Sequence, residues 1–147
     1  LSASTTGIRR ICFQVTGQPS KIDDATCPIL DQAEQELSAY FVGDLRQFTV
    51  PLDWEGTPFQ EQVWRSLEEI PFGLTESYAG IARAIGRPRA ARAVGGAVGR
   101  NPTPILAPCH RVIGSNGALT GFSSGLDLKV KLLDLESRFA ERSQSSI

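Results

Sequence analysis

The stretch Ser77-Tyr78-Ala79-Gly80-Ile81-Ala82-Arg83-Ala84-Ile85-Gly86, continued by Arg87-Pro88-Arg89-Ala90-Ala91-Arg92-Ala93-Val94-Gly95-Gly96-Ala97-Val98, decides the architecture of this chain. Ser77 is placed to cap a helix over Tyr78 to Ile85, because a serine hydroxyl can accept a free N–H of the first turn. Ile81, Ala82 and Ile85 fall on one side of that helix, and Gly86 closes it. A short turn through Arg87-Pro88 leads to a second helix from about Arg89 to Val98. Two short helices joined by a tight glycine-containing turn make a helix-turn-helix.

The second helix is unusual in composition. Gly95 and Gly96 each cost about 1 kcal/mol against alanine in a helix interior. Small side chains let another surface approach closely, either a neighbouring helix or a nucleic-acid groove. Helices that read base edges carry Asn, Gln, Arg or Lys at several positions. Here Arg92 is the only long polar side chain beyond the first turn. The helix is therefore poor at reading sequence and suited to lying flat in a groove, which separates a damage-searching protein from a transcription factor. Charge points the same way. The net charge is −1, but residues 1–76 hold 5 basic and 12 acidic residues. Residues 77–126 hold six arginines (83, 87, 89, 92, 100 and 111) and no acid, and residues 127–147 balance at 4 and 4. An acid-free arginine block is the electrostatic footprint of a polyanion-binding face.

Toward the N-terminus, Thr57 is placed to cap a further helix, with Pro58 in its first turn and Gln60 completing a capping box. Phe59, Val63 and Leu67 form its apolar face, and Pro71-Phe72-Gly73 ends it. The domain linker falls near Asp53–Thr57. Before it, Ser2 to Val15 reads as strand with a turn near Gly7, and residues 16–28 read as loop. Leu30, Ala33, Leu37, Tyr40 and Phe41 recur at helical spacing, with Gly43 as a stop, and Phe48 to Leu52 is short and extended. Toward the C-terminus, three prolines keep the run from Asn101 to Gly114 extended and out of helix, with Ile105-Leu106-Ala107 as a short buried stretch. Ser115-Asn116-Gly117 is a turn. A last helix begins near Asp127, with Leu128, Leu132, Leu135 and Phe139 as its core stripe, and the tail after Arg142 reads as frayed. The fold class is α/β. A small N-terminal sheet-plus-helix domain over residues 1–55 precedes a mostly helical, winged-helix-like domain over residues 56–147, which contains the helix-turn-helix. Leu1 to Gly7 reads as the inside of something longer.

Hydrophobic residues make up 41% and charged residues 21%, the composition of a soluble globular protein. No apolar run approaches the roughly 20 residues of a membrane span. The three cysteines, at 12, 27 and 109, make no disulfide framework, and a reducing cytosolic compartment fits them. Cys12, in Ile11-Cys12-Phe13, reads as a small core residue, and Cys27, before Pro28, as a loop residue. Cys109 differs, because His110, the one histidine, and Arg111 follow it directly, and cationic neighbours favour a thiolate. A zinc site needs three or four ligands, and one histidine with no nearby second cysteine does not provide them. Adjacent side chains of an extended chain point to opposite sides. Activation of Cys109 by His110 therefore calls for a bridging water or a turn. An imidazole used as a base also needs a group to orient it, and Glu136 on the last helix is the candidate acid.

Pro108-Cys109-His110-Arg111-Val112 resembles the signature of the O6-alkylguanine-DNA alkyltransferases, also called methylated-DNA–protein-cysteine methyltransferases. The resemblance runs across residues 56–136. It includes Thr57-Pro58-Phe59-Gln60 with Val63-Trp64, Ile70-Pro71-Phe72-Gly73, Ser77-Tyr78 with Ile81-Ala82, and Arg92-Ala93-Val94-Gly95-Gly96-Ala97. Asn101-Pro102, Gly121-Phe122, Lys129, Leu132-Leu133 and Glu136 continue it. The first fifty-five residues match only through Tyr40-Phe41-x-Gly43 and Phe48-x-x-Pro51-Leu52.

The resemblance implies a ribonuclease H-like N-terminal domain, lacking the strand with which the family's domain usually opens. It implies that Cys109 is the alkyl acceptor, that His110 deprotonates it through a water, and that Glu136 holds His110. Tyr78 would press on the phosphate beside the flipped nucleotide and protonate the leaving guanine. Arg92 would fill the gap in the base stack, with Ala90 and Gly95 also against the DNA. Asn101 would brace the turn that presents Cys109, Val112 and Ser123 would offer backbone groups to the guanine edge, and Lys129 would lie near the pocket. Phe122 stands where the family often has Tyr, so a hydroxyl role there is absent. The zinc ligands of some relatives have no counterpart. The expected partner is double-stranded DNA carrying O6-alkylguanine or O4-alkylthymine, met by a monomer without cofactor or metal, in the cytoplasm or, in a eukaryote, the nucleus. The product, an S-alkyl cysteine, is a thioether that no group here could cleave, so each chain would act once. Two rival readings remain: a helix-turn-helix binding module, indifferent to loss of Cys109, and a cysteine hydrolase, which would turn over.

Overall fold

The computed structural model describes residues 1–11, 27–114 and 125–144, and the chain divides into two compact units, Leu1–Glu55 and Gly56–Ile147. In the first unit, β1 (Ser2–Ala3) pairs antiparallel with β2 (Ile8–Arg10). Gly7, before β2, has no room for a side chain: an added Cβ would lie 2.7 Å from the Leu52 carbonyl carbon. That close approach lets the segment around Leu52 run beside β2, with the Ile8 N–H donating to the Pro51 carbonyl (2.8 Å) and the Asp53 N–H to the Ile8 carbonyl (2.9 Å). α1 (Cys27–Phe41) buries Ala33 and Tyr40 and packs against both strands. The Glu36 carboxylate accepts the N–H groups of Thr49 and Val50, fastening the extended segment to the helix. Cys27 opens α1 instead of lying in a loop. Pro28 follows it in the first turn, where a missing N–H costs nothing.

In the second unit, α2 (Pro58–Glu68) opens with the expected capping box. Thr57 Oγ1 accepts the Gln60 N–H (3.1 Å), and Gln60 Oε1 accepts the Thr57 N–H (3.0 Å). Its buried side is Val63, Trp64 and Leu67. α3 (Tyr78–Ala84) is capped by Ser77, whose Oγ accepts the Gly80 N–H at 2.9 Å, and the chain then turns at Gly86 with φ 77°. α4 (Ala91–Gly99) completes the helix-turn-helix, starting two residues later than its composition suggests. Its N-cap is Ala90, which makes no side-chain capping bond. The Trp64 indole N–H donates to the Ala97 carbonyl at 2.8 Å and ties α2 to α4.

Two further elements bring distant segments together. β3 (Glu76–Ser77) pairs parallel with β4 (Val112–Ile113), so the start of α3 lies beside the chain that leaves Cys109. α5 (Leu126–Gln144) turns Lys129, Leu132 and Glu136 fully inward, whereas Leu128, Leu135 and Phe139 are only half-buried. The expected apolar stripe is thus rotated, because two charged side chains find buried partners on that face. Among the described residues, no helix is long and apolar enough to cross a membrane.

Candidate active site

Residues 101–111 depart from the extended run that their prolines suggest. The Asn101 side chain donates to the Ala107 carbonyl (2.7 Å) and accepts the Thr103 N–H (3.0 Å), while the Ala107 N–H donates to the Thr103 carbonyl (2.9 Å). These bonds close a tight turn with buried Ile105 at its tip, at φ 73°. A β-branched residue in this left-handed region is strained by about 1–3 kcal/mol, which its buried surroundings must offset. The Ala107 carbonyl also accepts the Cys109 N–H (2.7 Å), and Cys109–Arg111 form a single 3-10 turn. Proline forbids an α-helix here but permits tight turns. A turn is what two adjacent side chains need in order to serve one site.

Cys109, His110 and Arg111 are all buried, as is Glu136 across from them on α5. His110 Nε2 lies 2.5 Å from Glu136 Oε2. Arg111 grips the same carboxylate with both faces of its fork, Nε to Oε1 at 2.8 Å and Nη2 to Oε2 at 3.1 Å, and sends Nη1 to the Ile70 carbonyl at 2.6 Å. The Gly73 N–H adds a bond to Oε1 at 3.2 Å. Burial alone would raise the Glu136 pKa, but hydrogen bonds from His110 and Arg111 outweigh it and hold the carboxyl at about 2. Burial pushes the His110 pKa down, against the pull of Glu136. An ionised Glu136 facing a neutral His110 requires the proton on Nε2. Nδ1 is then an unprotonated base, and it is the one buried side-chain N or O atom without a hydrogen-bond partner among the described residues.

The thiol itself corrects one expectation. Cationic neighbours in sequence favoured a thiolate, yet Cys109 is pushed up to about 11, because burial outweighs the help of Asn101 and Lys129. Arg111 is committed to Glu136. It therefore drops out of the surface block, and the other five arginines, at 83, 87, 89, 92 and 100, are exposed. Arg92, Ala93, Gly96 and Arg100 line the open side of α4. A Cβ at Gly96 would meet nothing within 4 Å, and at half-buried Gly95 only the Tyr78 ring at 3.8 Å. Packing among the described residues therefore demands neither glycine. The Arg87 guanidinium lies over the Phe59 ring, 5.6 Å from its centre.

Residues 58–138 match the model of the 6-O-methylguanine DNA methyltransferase DNA-binding domain. The chain belongs to this family. It is 57% identical over 105 residues to the methylated-DNA–protein-cysteine methyltransferase of Methanosarcina acetivorans, a match covering 71% of this chain and 67% of the relative. The Mycobacterium tuberculosis OGT solved in complex with DNA superposes with a TM-score of 0.72 at 53% identity, covering 74% of this chain and 66% of that one. The O6-methylguanine-DNA methyltransferase of Pyrococcus kodakaraensis superposes with a TM-score of 0.63 at 34% identity, covering 86% and 69%. The chain thus spans about two thirds of the length of these relatives.

Most positions carried over from the family gather in the second unit. Lys129 is buried, its Nζ donating to the Val112 carbonyl at 2.6 Å, and it favours the charged form of Cys109. Tyr78 is half-buried at the start of α3, and Ala90 is half-buried before α4. Phe122 and Ser123 lie outside the described residues, as does the turn at 115–117. Thr103 and Gly73 were not read as parts of the site, and Arg111 was read only as a cationic neighbour of the thiol, not as a partner of Glu136. Arg111 and Gly73 stood within the family motifs, but charge counting placed Arg111 on the surface, and Thr103 carried no signal. Among the described residues, no group of three His, Cys, Asp or Glu side chains could hold a metal ion.

Proposed function

We propose that this chain repairs duplex DNA by moving the alkyl group of O6-alkylguanine, and of O4-alkylthymine, onto Cys109, once per molecule. The observation that carries this reading is the pairing of a buried thiol with the unoccupied Nδ1 of a histidine locked by Glu136. At a pKa of about 11, roughly one molecule in ten thousand holds a thiolate at neutral pH. The proton must therefore leave as the reaction proceeds. Nδ1 takes it through one water. The sulfur attacks the alkyl carbon, the S–C bond forms as the C–O6 bond breaks, and the electron pair goes to guanine, which is protonated by the Tyr78 hydroxyl. Lys129 stabilises the developing thiolate.

The target oxygen lies inside the base stack, so the nucleotide must be extruded, at a cost of a few kcal/mol. Residues 56–147 serve as the DNA-binding and alkyl-acceptor domain of a monomer. Arg92 fills the vacated gap, Ala90 and Gly95 lie against the DNA, Tyr78 presses on the phosphate, and Asn101 braces the Cys109 turn. Val112, Phe122 and Ser123 line the guanine site. A duplex containing O6-methylguanine should add one methyl group to Cys109 per protein, read by intact mass and peptide mapping. Cys109→Ser should bind the duplex and accept nothing. Multiple turnover would reveal a hydrolase, and binding without an adduct would leave only a helix-turn-helix binding module.

A further inference from the structure

We propose that Arg111 is a positioning residue for alkyl transfer: its guanidinium supplies the buried positive charge that lets Glu136 stay ionised while His110 stays neutral, with its proton on Nε2 and Nδ1 free. This inference rests on the transfer chemistry proposed above and adds a residue to it.

Charges in this buried site must balance one another. Glu136 and His110 are both fully buried. With Nδ1 unprotonated, the pair carries one negative charge, which is costly in a low-dielectric interior unless paired. Arg111 neutralises it through a fork that reaches both carboxylate oxygens and is held in place by the Ile70 carbonyl. Without Arg111, the cheapest way for the pair to shed its charge is to bind a proton. Nε2 faces Glu136, so that proton resides on Nδ1, and the base is lost.

The neighbouring groups do not substitute. The 3-10 turn also brings Cys109, which is neutral in its resting state. The 71–73 loop contributes the Gly73 N–H, a dipole without net charge. α2 ends on Glu68, with Glu69 as its C-cap, and both are exposed. On α5 itself, after burial and the Arg111 charge, the Lys129 charge also lowers the His110 pKa, but its Nζ donates to Val112 and not to the carboxylate, and Arg138 pairs with Asp134 in solvent. Among the described residues, Arg111 is the arginine or lysine that pairs with the carboxylate.

The experiment is the single-turnover methylation rate against pH at saturating O6-methylguanine duplex, for the full chain, Arg111→Gln and Arg111→Lys. Arg111→Gln should shift the acid limb of the profile upward by a pH unit or more, so that near pH 6 its rate falls about tenfold further below its own plateau than the wild type's. The Kd for DNA should not change, because Arg111 is buried away from the exposed arginines. Arg111→Lys, which keeps the charge, should recover most of the shift. Superimposable profiles would overturn the proposal. So would a uniform loss of rate at every pH, which is what a merely structural role predicts. Should Arg111→Gln fail to fold, the wild type still decides. The chain has one histidine, so its imidazole 15N signals are unambiguous. They should report the neutral Nε2–H form at and below the ordinary histidine midpoint of about 6.5, and an imidazolium or the Nδ1–H form there would refute the idea. Failure of the wild type to methylate at all would instead remove the function on which the inference stands.

Discussion

Two arginine populations sit within thirty residues of each other and behave oppositely. Arg83, Arg87, Arg89, Arg92 and Arg100 surround the helix-turn-helix in solvent, while Arg111 is sealed against Glu136. On the open side of α4, no carboxylate among the described residues pairs with Arg92 or Arg100. In the Cys109 turn every charge has a counter-charge or a hydrogen bond within the protein. Exposed charge is cheap for the fold and free to act on a partner. Buried charge is expensive and must be matched locally. The first region is shaped for what it meets, and the second for one proton.

The strongest test of that contrast is Glu136→Gln. It leaves Arg111 buried and uncompensated, which should destabilise the second unit by about 3–5 kcal/mol, measured by urea denaturation, and slow transfer about a hundredfold or more. The pH dependence follows from the depressed carboxyl. Its folded-state pKa of about 2 lies below the ordinary 4.5. The stabilisation is therefore fully present above pH 4.5 and is lost as pH falls from there through about 2. Wild-type stability should fall across that window by more than that of Glu136→Gln. Equal slopes would mean that the buried pair contributes nothing.

A smaller effect is expected outside. Arg92→Ala should change stability by no more than about 0.5 kcal/mol, yet slow transfer at saturating DNA by about ten- to a hundredfold, since a wedge offsets part of the extrusion cost. Each exposed arginine that touches a phosphate should, when removed, lower the slope of log affinity against log salt by about 0.9. An unchanged slope across all five would break the comparison on its open side. Gly96→Ala is the subtlest probe. With nothing within 4 Å of the new methyl group, it should stabilise the helix by up to about 1 kcal/mol while weakening duplex binding. A variant that is more stable and binds equally well would show that the glycine does not serve a groove.

Much of this was legible in the residues. Thr57 with Gln60 and Ser77 with Gly80 mark helix starts through local bonds, and the structure forms both. Glu136 could be named as a candidate partner of His110 from the need for an orienting acid, and the family's motifs supported it, although 25 intervening residues hide the pairing from any local pattern. Burial was the part that could not be read. A charge count treats Arg111 like Arg100, because burial is set by α5, whose Glu136 lies 25 residues away in sequence. For the same reason Leu128, Leu135 and Phe139 outranked Lys129 and Glu136 as core residues on α5. The left-handed turn at Ile105 had no signal either, since a β-branched residue disfavours it and only tertiary packing overrides that preference.

The high pKa of the Cys109 thiol has one more consequence, for shelf life. On the proposed chemistry the chain is spent after one reaction, so every encounter with a stray electrophile or oxidant competes with its task. Such reagents attack thiolates. A cysteine kept protonated and under cover until a guanine site engages it should react slowly with iodoacetamide or peroxide at neutral pH. The same burial that makes the resting sulfur a poor nucleophile preserves it for the lesion.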